Sequence, residues 1–148
     1  MAAMNPAETY TLEHELNIDS TPSAAYEALT TAQGLRRWHT ADAHGDGPLG
    51  GLWHLGASGP VPFVWEVIAA TPNNVVGWKC QAGPGTSPGT TVHYVIDPTP
   101  DGRVRVALIH SGWTARDGNY TKCNSLWGGL LTHLKRYLET GTPSPMFS

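Results

Sequence analysis

The sequence is poor in charged residues, and this shortage excludes two classes of protein. Asp, Glu, Lys and Arg together make up only 14% of the 148 residues, and the net charge is −3. A nucleic-acid-binding surface needs clustered Lys and Arg, so nucleic acid is not expected as a partner. The chain also has no apolar run approaching the ~20 residues that a membrane-spanning helix requires, so no membrane span is predicted.

Cysteine is equally scarce. Cys80 and Cys123 lie far apart in the sequence and show no spacing typical of a metal site, so we interpret them as free thiols in a reducing compartment. The first residues, MAAMNPAETYTLEHEL, have neither the basic start nor the apolar stretch of a secretory signal. A cytoplasmic protein is therefore predicted, with residues 1–8 as an N-terminal tail.

The residues that are abundant predict a single domain rich in turns and short strands. There are 17 Gly, 12 Pro, six Trp and five Tyr, and 40% of the residues are hydrophobic. Gly and Pro favour turns, while this many apolar and aromatic side chains can form a core without disulfides. We expect one domain over residues 9–141, followed by a C-terminal tail over 142–148.

The stretch 119–140 predicts one long amphipathic helix. Apolar residues recur there at alternating spacings of three and four, which places them on one face of a helix. Asp117 or Asn119 can cap its start, and Gly141 with Pro143 can end it. Its central pair, Gly128 and Gly129, is unfavourable inside a helix. The sequence leaves open whether the pair has no role or admits a close neighbour, such as a loop, the short helices or a second subunit in a homodimer.

Almost everything before this helix predicts short strands. A half-buried strand over 9–18 is followed by two short helices, the first capped by Thr21 and Pro22. Strands are then expected at 51–55, 61–69, 75–81, 90–96 and 103–111, with turn signals between them. Sequential hairpins imply an antiparallel sheet of about six strands with helices on one face, so the fold class is α+β.

Four segments together resemble a known family: IDSTPSAAYEALTTAQGLRRW, GGLWHLG, VALIHSGW and LWGGLLTHLKRYLE. Their order and spacing are similar to those of the START-like superfamily of helix-grip proteins, also called Bet v 1-like or SRPBCC, and more narrowly to the AHSA1-like family. The resemblance covers nearly the whole chain. It implies a curved antiparallel sheet that grips the C-terminal helix, with a cavity between them that holds apolar molecules in different members.

We therefore predict that the chain binds a small apolar or aromatic molecule, without a cofactor. The alternative is that these side chains only fill the core, but buried indole N–H groups need polar partners, which a partly wet pocket supplies more easily. The predicted cavity wall consists of Trp38, Trp53, Phe63, Trp65, Trp78, Cys80, Tyr94, Leu108, His110, Tyr120, Cys123, Trp127 and Leu131.

His110 is the candidate catalytic residue if the protein is instead an enzyme. It ends the inward face of a predicted strand, and it resembles a histidine found at this position in AHSA1-like sequences. With Tyr94 or His54 it could act as an acid or base in a cyclase, dehydratase or hydrolase; the competing interpretation is a histidine that ties the strand to a loop. A metal site formed with His39, His44 and His54 is not expected, because no ligand spacing occurs on any one element.

The family resemblance also suggests Hsp90 as a candidate partner. The eukaryotic activator of Hsp90 has a separate N-terminal domain that contributes to engaging Hsp90, and 148 residues are too few for both domains. Hsp90 is therefore not expected as a partner of this chain.

Overall fold

The computed structural model describes residues 9–56 and 62–147 and confirms the α+β helix-grip architecture. The elements are β1 (Tyr10–Ile18), α1 (Pro22–Thr30), α2 (Ala32–Trp38), β2 (His44–Gly45), β3 (Leu52–Leu55), β4 (Phe63–Thr71), β5 (Val75–Ala82), β6 (Thr91–Pro98), β7 (Val104–Trp113) and α3 (Gly118–Thr140). The predicted N-terminal tail and Val61, the predicted start of β4, lie outside the described residues.

The strands form one antiparallel sheet with the order β1-β7-β6-β5-β4-β3-β2. Consecutive strands from β2 to β7 pair as neighbours, and β1 returns to the far edge beside β7. The two-residue strand β2 lies between α2 and β3, where the sequence predicts no strand, and it brings the sheet to seven strands where about six were expected. Antiparallel hairpins account for most of this order.

The helix ends follow the capping chemistry that the sequence indicates. The Thr21 side chain accepts a hydrogen bond from the backbone N–H of Ala24, and Pro22 takes the first helical position of α1. Asp117, the first of the two predicted caps, accepts from the N–H of Tyr120 at the start of α3. Gly141 ends α3 with a left-handed φ of 73°, a conformation that glycine adopts without steric cost.

Helix α3 packs against the concave side of the sheet and beside β1. Its apolar stripe is buried, and its polar residues hold the neighbouring edge strand. The Lys135 ammonium donates to the carbonyl oxygen of Asn17 at 2.8 Å, and His14 Nε2 lies 2.8 Å from Asn124 Oδ1. These contacts place α3 over the strands that carry the inward aromatic residues, which is the interface of interest for function.

Strand alternation decides which side chains face α3. In β7 the alternating residues from Val104 to His110 are buried, as the sequence predicts. The alternation then breaks, because β7 has a bulge opposite Thr11 and Gly112 adopts a left-handed φ of 88°. The change of phase turns Trp113 inward as well, and its side chain is fully buried.

The segment predicted as a C-terminal tail folds back onto the domain. Its backbone donates from Ser144, Met146 and Phe147 to the carbonyl groups of Arg37, Trp38 and His39. A parallel bridge joins Phe147 to Thr40. We call residues 142–147 the C-terminal strap, since they cross from the end of α3 to the end of α2. Within the described residues, no helix combines the length and apolarity needed to cross a membrane.

Candidate functional site

The predicted cavity wall comes together between the sheet and the helices. Phe63 and Tyr120 are half-buried, and all the other predicted wall residues are buried. They come from α2, the middle strands and the first half of α3, so segments far apart in sequence converge on one region. The structure thus gathers these side chains, but burial alone does not separate a ligand-binding wall from a core.

Four rings form the centre of this region, and we call them the interior ring cluster: His39, Trp78, Tyr94 and Trp127. The ring centroids of Trp78 and Tyr94 are 5.0 Å apart, and those of Tyr94 and Trp127 are 6.1 Å apart. His39 closes the group at 6.0 Å from Trp127 and 6.5 Å from Trp78. The arrangement joins the sheet, α3 and the end of α2 at one point.

Three members of the cluster carry a polar atom with no hydrogen-bond partner in the described part of the chain. These atoms are His39 Nε2, Trp78 Nε1 and the Tyr94 hydroxyl. His39 is 6% exposed, and the other two are fully buried. An unpaired buried donor or acceptor costs about 1–3 kcal/mol. Three such atoms in one cluster therefore lower the free energy of unfolding, which is unfavourable for a region that serves only as core.

His110 has a different environment, because both of its ring nitrogens are occupied. The Trp127 indole N–H donates to His110 Nδ1 at 2.8 Å, and His110 Nε2 lies 2.7 Å from the Thr90 hydroxyl oxygen. Since an indole nitrogen can only donate, Nδ1 must be the acceptor and Nε2 must carry the proton. Thr90 in turn donates to the carbonyl oxygen of Ser87 at 2.7 Å. The chain of bonds ends at the backbone of the β5–β6 turn.

Burial keeps both interior histidines neutral. It lowers the pKa of His110 to about 3, and that of His39 to about 3 as well. A neutral His110 suits the bonding pattern, because a second ring proton on Nδ1 would point at the Trp127 N–H. In this geometry His110 orients the Trp127 indole, and neither nitrogen faces an open space from which it could exchange a proton.

Of the four remaining tryptophans, one bonds to the backbone and two bury unpaired indoles. Trp38 donates to the carbonyl oxygen of Ala28 at 2.9 Å and so ties α2 to α1. Trp53 and Trp113 each bury an indole N–H with no partner among the described residues. Trp53 is the cross-strand neighbour of Trp65, and the ring of Trp113 packs against that of His110 at a tilt of 48°, with centroids 4.6 Å apart.

The two cysteines are buried and free. Burial raises the pKa of the Cys80 thiol to about 12 and that of Cys123 to about 11. A nucleophilic cysteine needs the opposite shift, toward the thiolate. Both side chains therefore contribute to the wall as small apolar groups.

The four histidines considered as metal ligands do not meet at one point. His44 and His54 are cross-strand partners whose rings stack 5.1 Å apart on β2 and β3, while His39 and His110 belong to the interior. In the part of the chain that the structure describes, no three His, Cys, Asp or Glu side chains gather in a way that could hold a metal ion.

Two pockets on the described surface lie elsewhere. A groove of about 530 Å³ follows the β6–β7 turn and is lined by Glu15, Asn17, residues 97–101, Arg103 and Arg105. A second, of about 240 Å³, lies between the short helices and the end of α3, beside Arg37 and Tyr137. Neither is lined by a member of the interior ring cluster.

The C-terminal strap explains one member of the α3 glycine pair, Gly129. A Cβ on Gly129 would lie 2.8 Å from the terminal methyl carbon of Met146 and 3.2 Å from its sulfur, so the missing side chain makes room for the strap. A Cβ on Gly128 would meet only the His14 ring, at 3.7 Å. His133 Nδ1 holds the strap at a second point, 2.6 Å from the carbonyl oxygen of Ser144. The close neighbour of Gly129 is thus the chain's own C-terminal segment.

Sequence reasoning did not place His39, Thr90 and Trp113 in the site. His39 was considered only as a metal ligand, although it follows Trp38 directly at the end of α2. Thr90 was the predicted start of β6, and only its position opposite the inward His110 could have indicated a role. Trp113 lies beyond the predicted end of β7 at residue 111, because the bulge at Gly112 has no alternation signal beyond the glycine itself.

Comparisons with known proteins agree with this architecture. The family described as "Activator of Hsp90 ATPase homolog 1-like protein" matches residues 19–139. Among solved structures, the Aha1 dimer from Colwellia psychrerythraea superposes with a TM-score of 0.81 at 29% identity, covering 89% of this chain and 98% of that one. No curated protein matches the sequence.

Two further structures share the fold at lower identity. Protein MLL2253 from Mesorhizobium loti has a TM-score of 0.73 and 21% identity, with 87% of this chain and 96% of that chain covered. CalU16 from Micromonospora echinospora has a TM-score of 0.72 and 17% identity, with 93% and 86% covered. The family match spans most of the sequence and agrees with the helix-grip topology, so the chain belongs to the AHSA1 family of activator of Hsp90 ATPase homolog 1-like proteins.

Proposed function

We propose that this protein binds a small, largely apolar molecule between the sheet and α3, at the interior ring cluster. The observation that carries the proposal is the set of unpaired polar atoms on His39, Trp78 and Tyr94. A core that served only for stability would be more stable with apolar residues of the same shape at these positions. A bound molecule that supplies hydrogen-bond partners satisfies these polar atoms.

The surrounding side chains support binding more than catalysis. His110, the candidate acid or base, already bonds to Trp127 and Thr90 through its two nitrogens. Burial lowers its pKa to about 3 and so disfavours proton uptake near neutral pH. We propose that His110 positions Trp127 as one wall of the binding region. Wild-type ligand affinity in a His110→Ala variant would contradict this role.

The closed packing implies that binding is coupled to opening. The rings of the interior ring cluster are buried against one another, so the interior expands when a molecule enters between them. The C-terminal strap is one element that can move, because it is held by a few backbone bonds and the Met146–Gly129 contact. Slow association with a strong temperature dependence is the expected kinetic signature of such binding.

A thermal-shift screen against lipids, sterols and aromatic ketones tests the proposal. Hits should raise the melting temperature, and ¹H–¹⁵N spectra should then show which of the six indole N–H signals move. Signals of Trp78 and Trp127 are expected to shift. Trp38 serves as the internal control, because its N–H is bonded to Ala28 between α1 and α2. Hits that leave both Trp78 and Trp127 unmoved would place binding on the surface and contradict the proposal.

A further inference from the structure

Two neighbouring residues of the interior ring cluster offer hydrogen-bond donors. The Trp78 indole can only donate, and the buried Tyr94 phenol keeps its proton because burial raises its pKa well above the usual range. These two groups are neighbours, since their rings lie 5.0 Å apart in an edge-to-face arrangement on adjacent strands. A ligand oxygen that approached either ring edge would therefore meet a donor.

His39 adds a group that can donate or accept. Its Nδ1 lies 2.8 Å from the Thr40 hydroxyl oxygen, which can act in either direction. If Thr40 donates to Nδ1, then Nε2 carries the proton and offers a donor; if Thr40 accepts, Nε2 offers a lone pair. The neutral ring thus adapts to the polar group it faces.

The same region contains no buried charge. The buried polar residues of the described chain are His39, Thr40, Ser87, Thr90 and His110, none of which carries a formal charge when the imidazoles are neutral. An anion moved into such surroundings without a counter-charge costs several kcal/mol. The walls, formed by the rings of Trp65, Trp78 and Trp127, favour a flat apolar molecule instead.

We propose that the ligand is an uncharged, mostly apolar molecule with a carbonyl-type oxygen that accepts from Trp78 and Tyr94. This inference rests on the proposed function, because it specifies the molecule that the interior takes. A lone carbonyl oxygen has two lone pairs and can accept from two donors at once. Carboxylates and phosphates are excluded by charge, and hydrocarbons of the same shape bind more weakly because they leave both donors unpaired.

Three bicyclic probes of similar size separate these properties: naphthalene, 1-tetralone and 1-naphthoate. Naphthalene has no hydrogen-bond acceptor, 1-tetralone has one neutral carbonyl group, and 1-naphthoate has a charged carboxylate. Affinities are measured by titration of the full chain, following the indole N–H signals. We expect 1-tetralone to bind about ten- to hundredfold more tightly than naphthalene, about three- to tenfold for each of the two net hydrogen bonds, and 1-naphthoate to bind more weakly than both.

Matched variants test whether the Tyr94 hydroxyl contributes to the preference for 1-tetralone over naphthalene. Tyr94→Phe removes one donor and keeps the ring, and it should reduce the preference for 1-tetralone over naphthalene about three- to tenfold, because the Trp78 donor remains. Tyr26→Phe makes the same chemical change in α1, outside the cluster, and should leave every affinity unchanged. Melting temperatures of both variants check that they are folded.

The outcomes separate this inference from the proposed function. If naphthalene, 1-tetralone and 1-naphthoate all move the Trp78 and Trp127 signals with equal affinity, the interior binds ligands but the ligand class is wrong. A preference for 1-tetralone that is as large in Tyr94→Phe as in the wild type would also overturn the inference. If no probe moves either signal at its solubility limit, the proposed function fails and the inference fails with it.

Discussion

On acidification, this protein should lose stability at a higher pH than protonation of its carboxylates alone would cause. The reason is that two histidines are buried in the neutral form. The pKa of both His39 and His110 is lowered to about 3 by burial, against 6.5 for an exposed histidine. As the pH falls below 6.5, the unfolded chain binds protons that the folded chain does not. The stability contributed by these groups is therefore present above pH 6.5 and is lost progressively toward pH 3.

The size of the effect follows from the two pKa values. One pKa unit corresponds to about 1.4 kcal/mol, so each histidine lowers the free energy of unfolding by about 2 kcal/mol between pH 7.5 and pH 5. Both together remove about 4 kcal/mol, which is a large part of the ~5–15 kcal/mol typical of a folded domain. With a urea m-value of about 2 kcal/mol per molar, the denaturation midpoint should fall by about 2 M.

Urea titrations at pH 7.5, 6.5, 5.5 and 5.0 measure this dependence. The range stops at pH 5 because Asp101 and Glu139 become protonated at lower pH and then lose their contributions to the free energy of unfolding. A hydrogen bond from Thr99 is the main cause of the lowered pKa of Asp101, and the backbone N–H of Asp19 is the main cause for Glu139. Above pH 5 the histidines should dominate.

A His110→Gln variant is the matched control for the acid prediction. Glutamine does not titrate, yet it can accept from Trp127 and donate to Thr90 in place of the ring. The midpoint of this variant should fall by about half as much between pH 7.5 and pH 5 as that of the wild type. A midpoint that is flat with pH in the wild type, or an unchanged slope in the variant, would refute the account of a neutral buried His110.

Three further predictions concern α3 and the thiols. Gly128→Ala should stabilise the protein by up to about 1 kcal/mol through helix propensity, since its Cβ makes only ordinary contact; calorimetry should show a rise of a few degrees in melting temperature. Gly129→Leu should lower the melting temperature instead, because the new side chain enters the space of Met146, and an equal gain in both variants would contradict the strap contact. Cys80 and Cys123 should resist iodoacetamide at pH 8 in the native state and react in urea, as their raised thiol pKa values and burial require; rapid native alkylation would count against this.

The regular elements could be predicted from sequence because local signals determine them. The apolar period fixes α3, Thr21 and Asp117 mark helix starts, and alternation along β7 correctly turns His110 inward. These signals depend on neighbours a few residues apart, so they are visible in the chain itself. The order of the strands follows because sequential hairpins pair with their neighbours.

The parts that escaped prediction depend on contacts between distant segments. The strap folds onto α2 through backbone bonds, which carry no side-chain signal, and only the unexplained Gly129 marked its place. His39 is buried because α2, α3 and the strap converge around it, while its local sequence is polar. Trp113 turns inward through a bulge, and a one-residue shift of this kind reverses every expectation drawn from alternation.

The central claim is that a small molecule enters the space between the sheet and α3, and intermolecular NOEs test it most directly. With 1-tetralone and isotope-labelled protein, the account predicts NOEs from the ligand protons to the ring protons of Trp78, Tyr94 and Trp127. NOEs confined to the outer grooves, beside Arg103 and Arg105 or beside Arg37 and Tyr137, would contradict it.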